Sequence, residues 1–231
     1  MYQILPNEVR VWSKLDHGAV IKLLGVTTTF DHTLSIVSPL MSRGNAFDYV
    51  QNPVIDPRRL ILGIASGLHY LHTYKEGPVI HGDIKGLNVL VSEEGRALLA
   101  GFHLFFLTDS SFSMSTPEHA GGSLPWMAPE LFEVYREATA AQDVWAFAMT
   151  ALELFTREDP FFPCRGTTIM MRMMMKGLPD RPSAENTCSR LTDEWWGICS
   201  ECWHSDPSMR PTMLQVAEKI EQIVCSSRVY H

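Results

Sequence analysis

One segment, residues 140–155, limits the folds open to this chain more than any other. It reads AAQDVWAFAMTALELF and is apolar on nearly every side of a helical projection. A helix with that pattern is typical of a protein interior, where other elements cover it on all sides. The sequence therefore predicts a largely helical domain built around this central helix.

Two amphipathic helices are predicted around it. Asp56 can cap free amides at a helix start, and Pro57 suits the first turn. The buried stripe of this helix is predicted to be Leu60, Ile64, Leu68 and Leu71. Pro211 is predicted to open the last helix by the same rule. Its inner side is predicted to be Met213, Val216, Ile220 and Ile223.

The N-terminal part of the chain has a different pattern. A short amphipathic helix is predicted there from the spacing of Leu5, Val9, Trp12 and Leu15. Two runs follow, at residues 19–30 and 33–41, which are rich in Val, Ile, Thr and Leu and are bounded by Gly, Asp or Pro. Such runs predict paired strands. We therefore expect an α+β fold with a small mixed part and a larger helical part.

Composition narrows the class of protein. The chain has 231 residues with a net charge of −7, and no dense run of Lys or Arg interrupts it. This balance argues against a nucleic-acid partner or an anionic membrane surface. Five cysteines without framework spacing, and an N-terminus without a signal-like apolar run, favour a soluble cytoplasmic protein.

The segment VIHGDIKGLNVL carries the polar residues best suited to chemistry. Asp83, Lys85 and Asn88 lie within six positions and are flanked by apolar residues on both sides. A loop holding these three side chains can present a proton acceptor, a phosphate-neutralising cation and a metal ligand to one point.

This loop resembles the catalytic loop of the protein kinase superfamily, H-R-D-x-K-x-x-N. Three further motifs follow in the family's order: WMAPE at residues 126–130, DVWAFAM from Asp143 and CWHSDPSMRP at residues 202–211. The last of these resembles the tyrosine-kinase-like and tyrosine kinase branches, and Lys85 resembles the Ser/Thr-directed pattern. The resemblance covers nearly the whole chain.

The resemblance implies a protein-kinase-like fold. Residues 1–41 correspond to a partial N-lobe and hinge, with the αC helix and the family's fourth and fifth strands but not its first three. Residues 42–225 correspond to a mostly helical C-lobe, and residues 226–231 to a tail. The chain as given also begins after the family's glycine-rich phosphate loop and its third-strand lysine.

The resemblance also assigns roles to residues. Asp83, Lys85 and Asn88 are the implied catalytic residues, and Asn88 is also an implied metal ligand. The implied ATP-binding positions are Ser38 as gatekeeper, Pro39, Met41 and Leu90. Glu8 corresponds to the αC glutamate, without an evident lysine partner. Structural roles are implied for His81, Glu130, Asp143 and Arg210, with Glu130 and Arg210 as a buried ion pair.

The family's D-F-G motif is altered here. Gly101 replaces the aspartate that holds Mg²⁺, Phe102 is kept and His103 replaces the glycine. Imidazole suits softer ions than Mg²⁺, so His103 is a poor substitute ligand. Loss of one preorganised electrostatic group typically lowers the rate by about 10²–10³.

Three interpretations follow. The first is a pseudokinase that acts as a binding or scaffold module in signalling, with protein partners that the sequence does not identify. The second is an active Ser/Thr protein kinase, using ATP and Mg²⁺, of which this chain is an incomplete record. The third is a fragment without function. Gly101 favours the first.

A methionine-rich segment, IMMRMMMKG, lies in the C-terminal half and has five Met between positions 170 and 175. Methionine side chains adapt to irregular surfaces, so the segment could form a binding surface. Packing of these side chains into the core is the interpretation that we prefer.

Overall fold

The computed structural model of the chain describes residues 5–27, 29, 35–101, 106–107, 123–132, 138–164, 166–175 and 177–228. Within these ranges the α-helices are α1 (Leu5–Trp12), α2 (Ala46–Val50), α3 (Arg58–His72), α4 (Ala140–Thr156), α5 (Thr167–Met174), α6 (Asp193–Cys202) and α7 (Met213–Arg228). The strands are β1 (Gly25–Thr27), β2 (Ser35–Val37), β3 (Val79–Ile80), β4 (Val89–Val91), β5 (Ala97–Leu99) and β6 (Phe106–Leu107). The α+β composition agrees with the prediction.

Helix α4 lies at the centre of the helical part, as predicted. All of its residues from Gln142 to Phe155 are buried except Ala146. It packs against α2, α3 and α6 and against the loop that precedes β4. Burial of polar residues within such a helix requires hydrogen-bond partners. For Asp143 and Glu153 those partners lie on the segment between β3 and β4.

Helix α3 confirms the predicted stripe, because Leu60, Ile64, Leu68 and Leu71 are all fully buried. At its start the Asp56 carboxylate accepts a hydrogen bond from the amide of Arg58 over 3.1 Å. A Cβ at Gly67 would lie 2.8 Å from a Leu99 methyl carbon and 2.9 Å from the Ala19 carbonyl oxygen. Glycine therefore lets α3 approach β5 closely.

The strands form three antiparallel pairs among the described residues: β1 with β2, β3 with β6 and β4 with β5. In the first pair Val26 lies opposite Ile36, so the two predicted runs do pair. The prediction was wrong about the extent of the first run, because within its described residues only Gly25–Thr27 forms a strand. The amide of Ile21 instead donates to the Leu99 carbonyl over 2.9 Å. The start of that run is thus hydrogen-bonded to β5.

Helix α7 begins at Met213 rather than at Pro211. The Thr212 amide donates to the Gln215 side-chain oxygen over 2.8 Å, and the Gln215 amide donates back to the Thr212 hydroxyl over 3.3 Å. This reciprocal pair is a capping box, which satisfies two free amides at the helix start. Of the predicted inner residues, Met213, Val216 and Ile220 are buried, whereas Ile223 is partly buried and packs against the core.

For two of its five methionines, the methionine-rich segment does not follow the preferred interpretation, and the side chains of Met170, Met173 and Met174 lie outside the described part of the structure. Met171 and Met175 are 63% and 80% exposed, whereas Ile169 is buried. These two methionines therefore do not pack into the core. No helix in the described part of the chain is long and apolar enough to cross a membrane.

Candidate functional site

The loop between β3 and β4 brings Asp83, Lys85 and Asn88 together. The Asn88 side-chain amide donates to the Asp83 carboxylate over 2.6 Å and to the Asp83 carbonyl over 2.7 Å. The Lys85 ammonium lies 3.2 Å from the same carboxylate. The side chains of Asp83 and Lys85 are about 85% buried, with 14% and 15% exposed. A short 3₁₀ turn, Gly86–Asn88, sets the spacing between the lysine and the asparagine.

Lys85 has a second partner on a distant part of the chain. Its ammonium donates to the Ser123 hydroxyl over 2.6 Å. Ser123 lies immediately before the 3₁₀ turn Leu124–Trp126. The lysine therefore links the loop to the segment that leads into WMAPE.

Asp143 on α4 holds the start of the loop. Its carboxylate accepts hydrogen bonds from the amides of His81 and Gly82 over 2.8 and 2.9 Å. It also contacts the Nε2 atom of His72 at 2.8 Å. Burial raises the pKa of Asp143, but the hydrogen bond and charge interaction with His72 outweigh it, so the pKa lies below its usual value. The carboxylate is therefore ionised and fixes the backbone before Asp83.

His81 is fully buried and braces the loop from inside. Its Nε2 atom lies 2.9 Å from the Ala100 carbonyl oxygen, and its Nδ1 atom accepts from the Asp83 amide over 3.3 Å. A neutral ring that carries its proton on Nε2 satisfies both contacts. Burial lowers the pKa of His81, which agrees with a neutral ring. His81 thus connects the residue before Gly101 to the backbone of Asp83.

Glu153, also on α4, is a second buried carboxyl beneath the loop. It accepts from the Gly86 amide over 2.8 Å and from the Trp126 indole N–H over 2.9 Å. Burial raises the pKa of Glu153 to about 8. Helix α4 therefore supports both the catalytic-type loop and the segment that contains Trp126.

Gly101 has a backbone φ of +72°, in the left-handed region that favours glycine. A Cβ at this position would lie 2.5 Å from both Cγ and Oδ1 of Asn88. The Asn88 side chain is held there by its two hydrogen bonds to Asp83. An aspartate at position 101 would therefore require Asn88 to leave Asp83.

The described residues do not fit a Mg²⁺ ion of the kind that the family resemblance implies. Magnesium requires near-octahedral coordination by oxygen ligands, usually including carboxylates. Gly101 supplies no side-chain oxygen, and the space beside it is filled by the amide of Asn88. Among the described residues, no group of three or more His, Cys, Asp or Glu side chains could hold a metal ion.

The predicted adenine-side positions lie on two neighbouring segments. Ser38 and Pro39 directly follow β2 and are partly buried. Met41 is partly buried and packs against the core, as does Leu90 on β4. The backbone of Asn45 pairs with Leu90, so the segment after the hinge is joined to β4.

Three predicted site residues have side chains outside the described part of the structure. The backbone of Glu8 belongs to α1, but its side chain is not described. Phe102 and His103 both lie outside the described residues. The role of each stays a prediction.

Glu130 and Arg210 form a buried ion pair. The two guanidinium nitrogens donate to the two carboxylate oxygens over 2.6 and 2.8 Å. One of these nitrogens also donates to the Ala141 carbonyl at the start of α4 over 2.8 Å. The pair therefore joins the 3₁₀ turn Pro129–Phe132, helix α4 and the segment before α7.

Sequence reasoning missed four residues of this network: His72, Ser123, Trp126 and Glu153. Glu153 gave a usable signal, because a carboxylate inside an otherwise apolar helix needs a buried donor. His72 is the last residue of α3 and lies outside its apolar stripe, so its sequence position alone does not indicate a buried partner. Ser123 is one of many hydroxyl residues in its segment, so its sequence position alone does not distinguish it.

Comparison with known proteins agrees with these features. The family described as protein tyrosine and serine/threonine kinase matches residues 2–220. Serine/threonine-protein kinase TNNI3K of Homo sapiens is 29% identical over 231 residues, covering 95% of this chain and 26% of that protein. Mitogen-activated protein kinase kinase kinase YODA of Arabidopsis thaliana is 31% identical over 221 residues, covering 94% of this chain and 24% of that protein.

A third relative has the same character. Serine/threonine-protein kinase STY17 of Arabidopsis thaliana is 27% identical over 229 residues, covering 97% of this chain and 38% of that protein. The chain thus spans well under half the length of these relatives. With the family match over most of its length, the four motifs and the Asp83, Asp143 and Arg210 contacts, the chain belongs to the protein tyrosine and serine/threonine kinase family, in its tyrosine-kinase-like branch.

Proposed function

We propose that this chain is a pseudokinase domain, which acts as a binding or scaffold module rather than as a magnesium-dependent phosphotransferase. The observation that carries the proposal is Gly101, because the residue that would hold Mg²⁺ has no carboxylate. The position of Asn88 adds support, since its amide fills the space beside Gly101. A loop that cannot position a metal-bound phosphate loses the main electrostatic contribution to phosphoryl transfer.

In this proposal the contacts of Asp83, Lys85 and Asn88 have a structural role. Asp83 accepts from Asn88, and Lys85 joins the loop to Ser123. These contacts hold the loop between β3 and β4 and the segment that begins at Ser123 in a fixed relation. Preorganised segments of this kind suit recognition of a protein partner.

The test is thermal unfolding of the protein with ATP alone, with Mg²⁺ alone and with both, together with radiolabelled phosphate transfer to a generic protein substrate. We expect no shift that depends on both ligands and no transfer, whereas an active kinase of the family gives both. Asp83→Asn should leave the background signal of the transfer assay unchanged. Asp48→Asn, on the exposed side of α2, is its matched control. Metal-dependent transfer that Asp83→Asn abolishes would overturn the proposal.

An active Ser/Thr protein kinase is the second candidate. It is favoured by the contacts of Lys85, which lies 3.2 Å from Asp83 and 2.6 Å from the Ser123 hydroxyl. In such an enzyme Asp83 would accept the proton of a substrate hydroxyl while the oxygen attacks the terminal phosphorus and ADP leaves. The transfer assay above separates the two candidates.

A further inference from the structure

The loop that follows α1 is held by the unprotonated nitrogen of a histidine. The Nδ1 atom of His17 accepts a hydrogen bond from the Ala19 amide over 3.2 Å. A ring nitrogen accepts only while it carries no proton, so this contact belongs to the neutral ring with its proton on Nε2. Protonation of Nδ1 would place two N–H donors against each other and break the contact. The conformation of this loop is therefore tied to the charge of His17.

The Ala19 peptide is also part of the contact between this loop and β5. Its carbonyl accepts from the Leu99 amide over 2.8 Å, and the Ile21 amide donates to the Leu99 carbonyl over 2.9 Å. The Ile21 carbonyl in turn accepts from the Trp12 indole over 2.8 Å. A change at the Ala19 amide therefore acts on the series of contacts that joins α1 to β5.

The surroundings of His17 favour the neutral ring. The ring stacks on that of Tyr70 in α3, with centroids 4.6 Å apart and planes inclined by 11°. Partial burial is the largest effect that lowers the pKa of His17, and the charge of His69 on α3 lowers the pKa further. The Asp16 carboxylate raises the pKa but is outweighed.

The remaining charges near the loop are compensated. Lys14 and Glu76 form an ion pair at 2.6 Å, and β5, Ala97–Leu99, has no titratable side chain. Because the pKa of His17 in the folded protein lies below its ordinary value of 6.5, a detached loop binds the proton more readily than the attached loop does. The attached loop is therefore fully stable above pH 6.5 and loses stability as the pH falls through the lowered pKa.

We propose that His17 is a proton-sensitive switch: its neutral ring holds the loop of residues 16–21 against β5, and protonation of the ring releases the Ala19 amide and loosens the loop from Leu99. The release is local, since Leu99 keeps its antiparallel pairing with Val89 of β4. The switch uses none of the residues that carry the proposed pseudokinase function, so either proposal can fail while the other stands.

The test follows the backbone amides of Ala19 and Leu99 by ¹⁵N–¹H NMR of the whole chain, between about pH 8 and about pH 5. We expect the Ala19 amide proton signal to move upfield with a midpoint below pH 6.5, because its hydrogen bond to Nδ1 is lost. Hydrogen exchange at Leu99, divided by the intrinsic exchange rate at each pH, should become faster by roughly tenfold, which corresponds to the loss of one neutral hydrogen bond.

Two substitutions separate the acceptor from the ring. His17→Asn places an amide oxygen near the position of Nδ1 but does not titrate, so both amides should keep their high-pH behaviour over the whole range. His17→Phe keeps a ring for Tyr70 but has no acceptor. In that variant the normalised exchange at Leu99 should be fast at every pH.

His204→Asn is the matched control. The Nδ1 atom of His204 also accepts from an amide two residues later, that of Asp206 over 3.1 Å, but on an exposed segment of the helical part. This variant should retain the full pH response of Ala19 and Leu99. The proposal is overturned if neither amide responds to pH, if the response survives either substitution of His17, or if His204→Asn removes it.

Discussion

Gly101 and Asn88 share a space that has room for only one side chain. The left-handed backbone at Gly101 is one obstacle to a larger residue, and the contact with Asn88 is a second. Gly44 allows the effect of the backbone conformation to be separated from the effect of the contact. Its φ of +71° is nearly the same as that of Gly101, but a Cβ at Gly44 would meet nothing within 4 Å.

We expect Gly101→Ala to lower the free energy of unfolding by about 1–3 kcal/mol, through backbone strain plus displacement of Asn88. Gly44→Ala should lower the free energy of unfolding through backbone strain alone, by about 1–2 kcal/mol. Urea unfolding measures both. In the background of Asn88→Ala, the Gly101→Ala cost should fall toward that of Gly44→Ala. Equal costs for the two glycine substitutions in the wild-type background would contradict the packing argument.

Glu153 predicts a dependence of stability on pH. Its folded pKa of about 8 lies above the ordinary value of 4.5, so the folded protein binds a proton that the unfolded chain has released. Stability from this group is fully present below pH 4.5 and declines as the pH rises toward 8. Glu153→Gln keeps an oxygen that can accept from Gly86 and Trp126.

We therefore expect Glu153→Gln to flatten the decline in the free energy of unfolding across that range, as measured by urea unfolding at several pH values. Glu158→Gln is the control, because Glu158 is exposed on the loop after α4. That variant should retain the slope of the wild-type protein. A slope that Glu153→Gln does not alter would show that the group titrates normally.

At the scale of elements, the ion pair between Glu130 and Arg210 fixes the 3₁₀ turn Pro129–Phe132 to helix α4. Its side chains are 6% and 0% exposed, so removal of one partner leaves a buried charge. Arg210→Met should cost about 3–5 kcal/mol in thermal or chemical unfolding. Adding Glu130→Gln should recover part of that loss.

The exposed pair of Arg181 and Asp193 is the comparison for this prediction. Its nitrogen and oxygen lie 2.5 Å apart, but the side chains are 43% and 89% exposed. Arg181→Met should therefore cost at most about 1 kcal/mol. If both arginine substitutions cost the same, burial is not what gives the Glu130–Arg210 pair its importance.

The helices show how far sequence reasoning reaches at this scale. The apolar pattern of α4 and the stripe of α3 are strong enough to predict burial residue by residue. The extent of the strand in residues 19–30 was mispredicted, because an apolar run rich in β-branched residues does not indicate which segment it pairs with. The backbone of Ile21 pairs with distant Leu99, and only tertiary structure determines that choice. The start of α7 was misplaced because the Thr212 and Gln215 capping contact outweighs the preference of proline for a first turn.

At the scale of the whole molecule, Tyr70 on α3 connects the N-terminal part to the helical part. Its hydroxyl accepts a hydrogen bond from the Asp16 amide over 3.0 Å. The ring of His17 stacks on the Tyr70 ring with centroids 4.6 Å apart. Nearby, Lys14 and Glu76 form an exposed ion pair at 2.6 Å.

Tyr70→Phe removes the acceptor and keeps the stacked ring. We expect a loss of about 1 kcal/mol and faster hydrogen exchange at the Asp16 amide, measured by NMR. Tyr49→Phe is the control, because the Tyr49 hydroxyl accepts a hydrogen bond from the exposed Arg43 and not from the N-terminal part. Unchanged exchange at Asp16 would mean that the hydroxyl does not hold the two parts together.

Only part of the candidate site could be predicted from the sequence. Residues that are close together in the chain were identified, whereas contacts between distant segments were not. Asp83, Lys85 and Asn88 lie close together in sequence, so a local motif identifies them. Ser123 and Glu153 contact the same loop from distant segments, and no local motif identifies either residue as its partner. The contact of Asn88 with Gly101 depends on a side-chain rotamer, which no spacing rule predicts.

The contact between Asn88 and Gly101 also limits how a magnesium site could be built by single substitutions. An aspartate introduced alone at position 101 enters the space that the Asn88 side chain occupies, and a smaller residue at position 88, such as alanine, removes the amide oxygen without adding a carboxylate. Neither single step improves metal binding, so an adaptive path would have to cross a less stable intermediate. Under the proposed pseudokinase function, packing at Gly101 therefore makes a magnesium site harder to build than the exchange of one residue suggests.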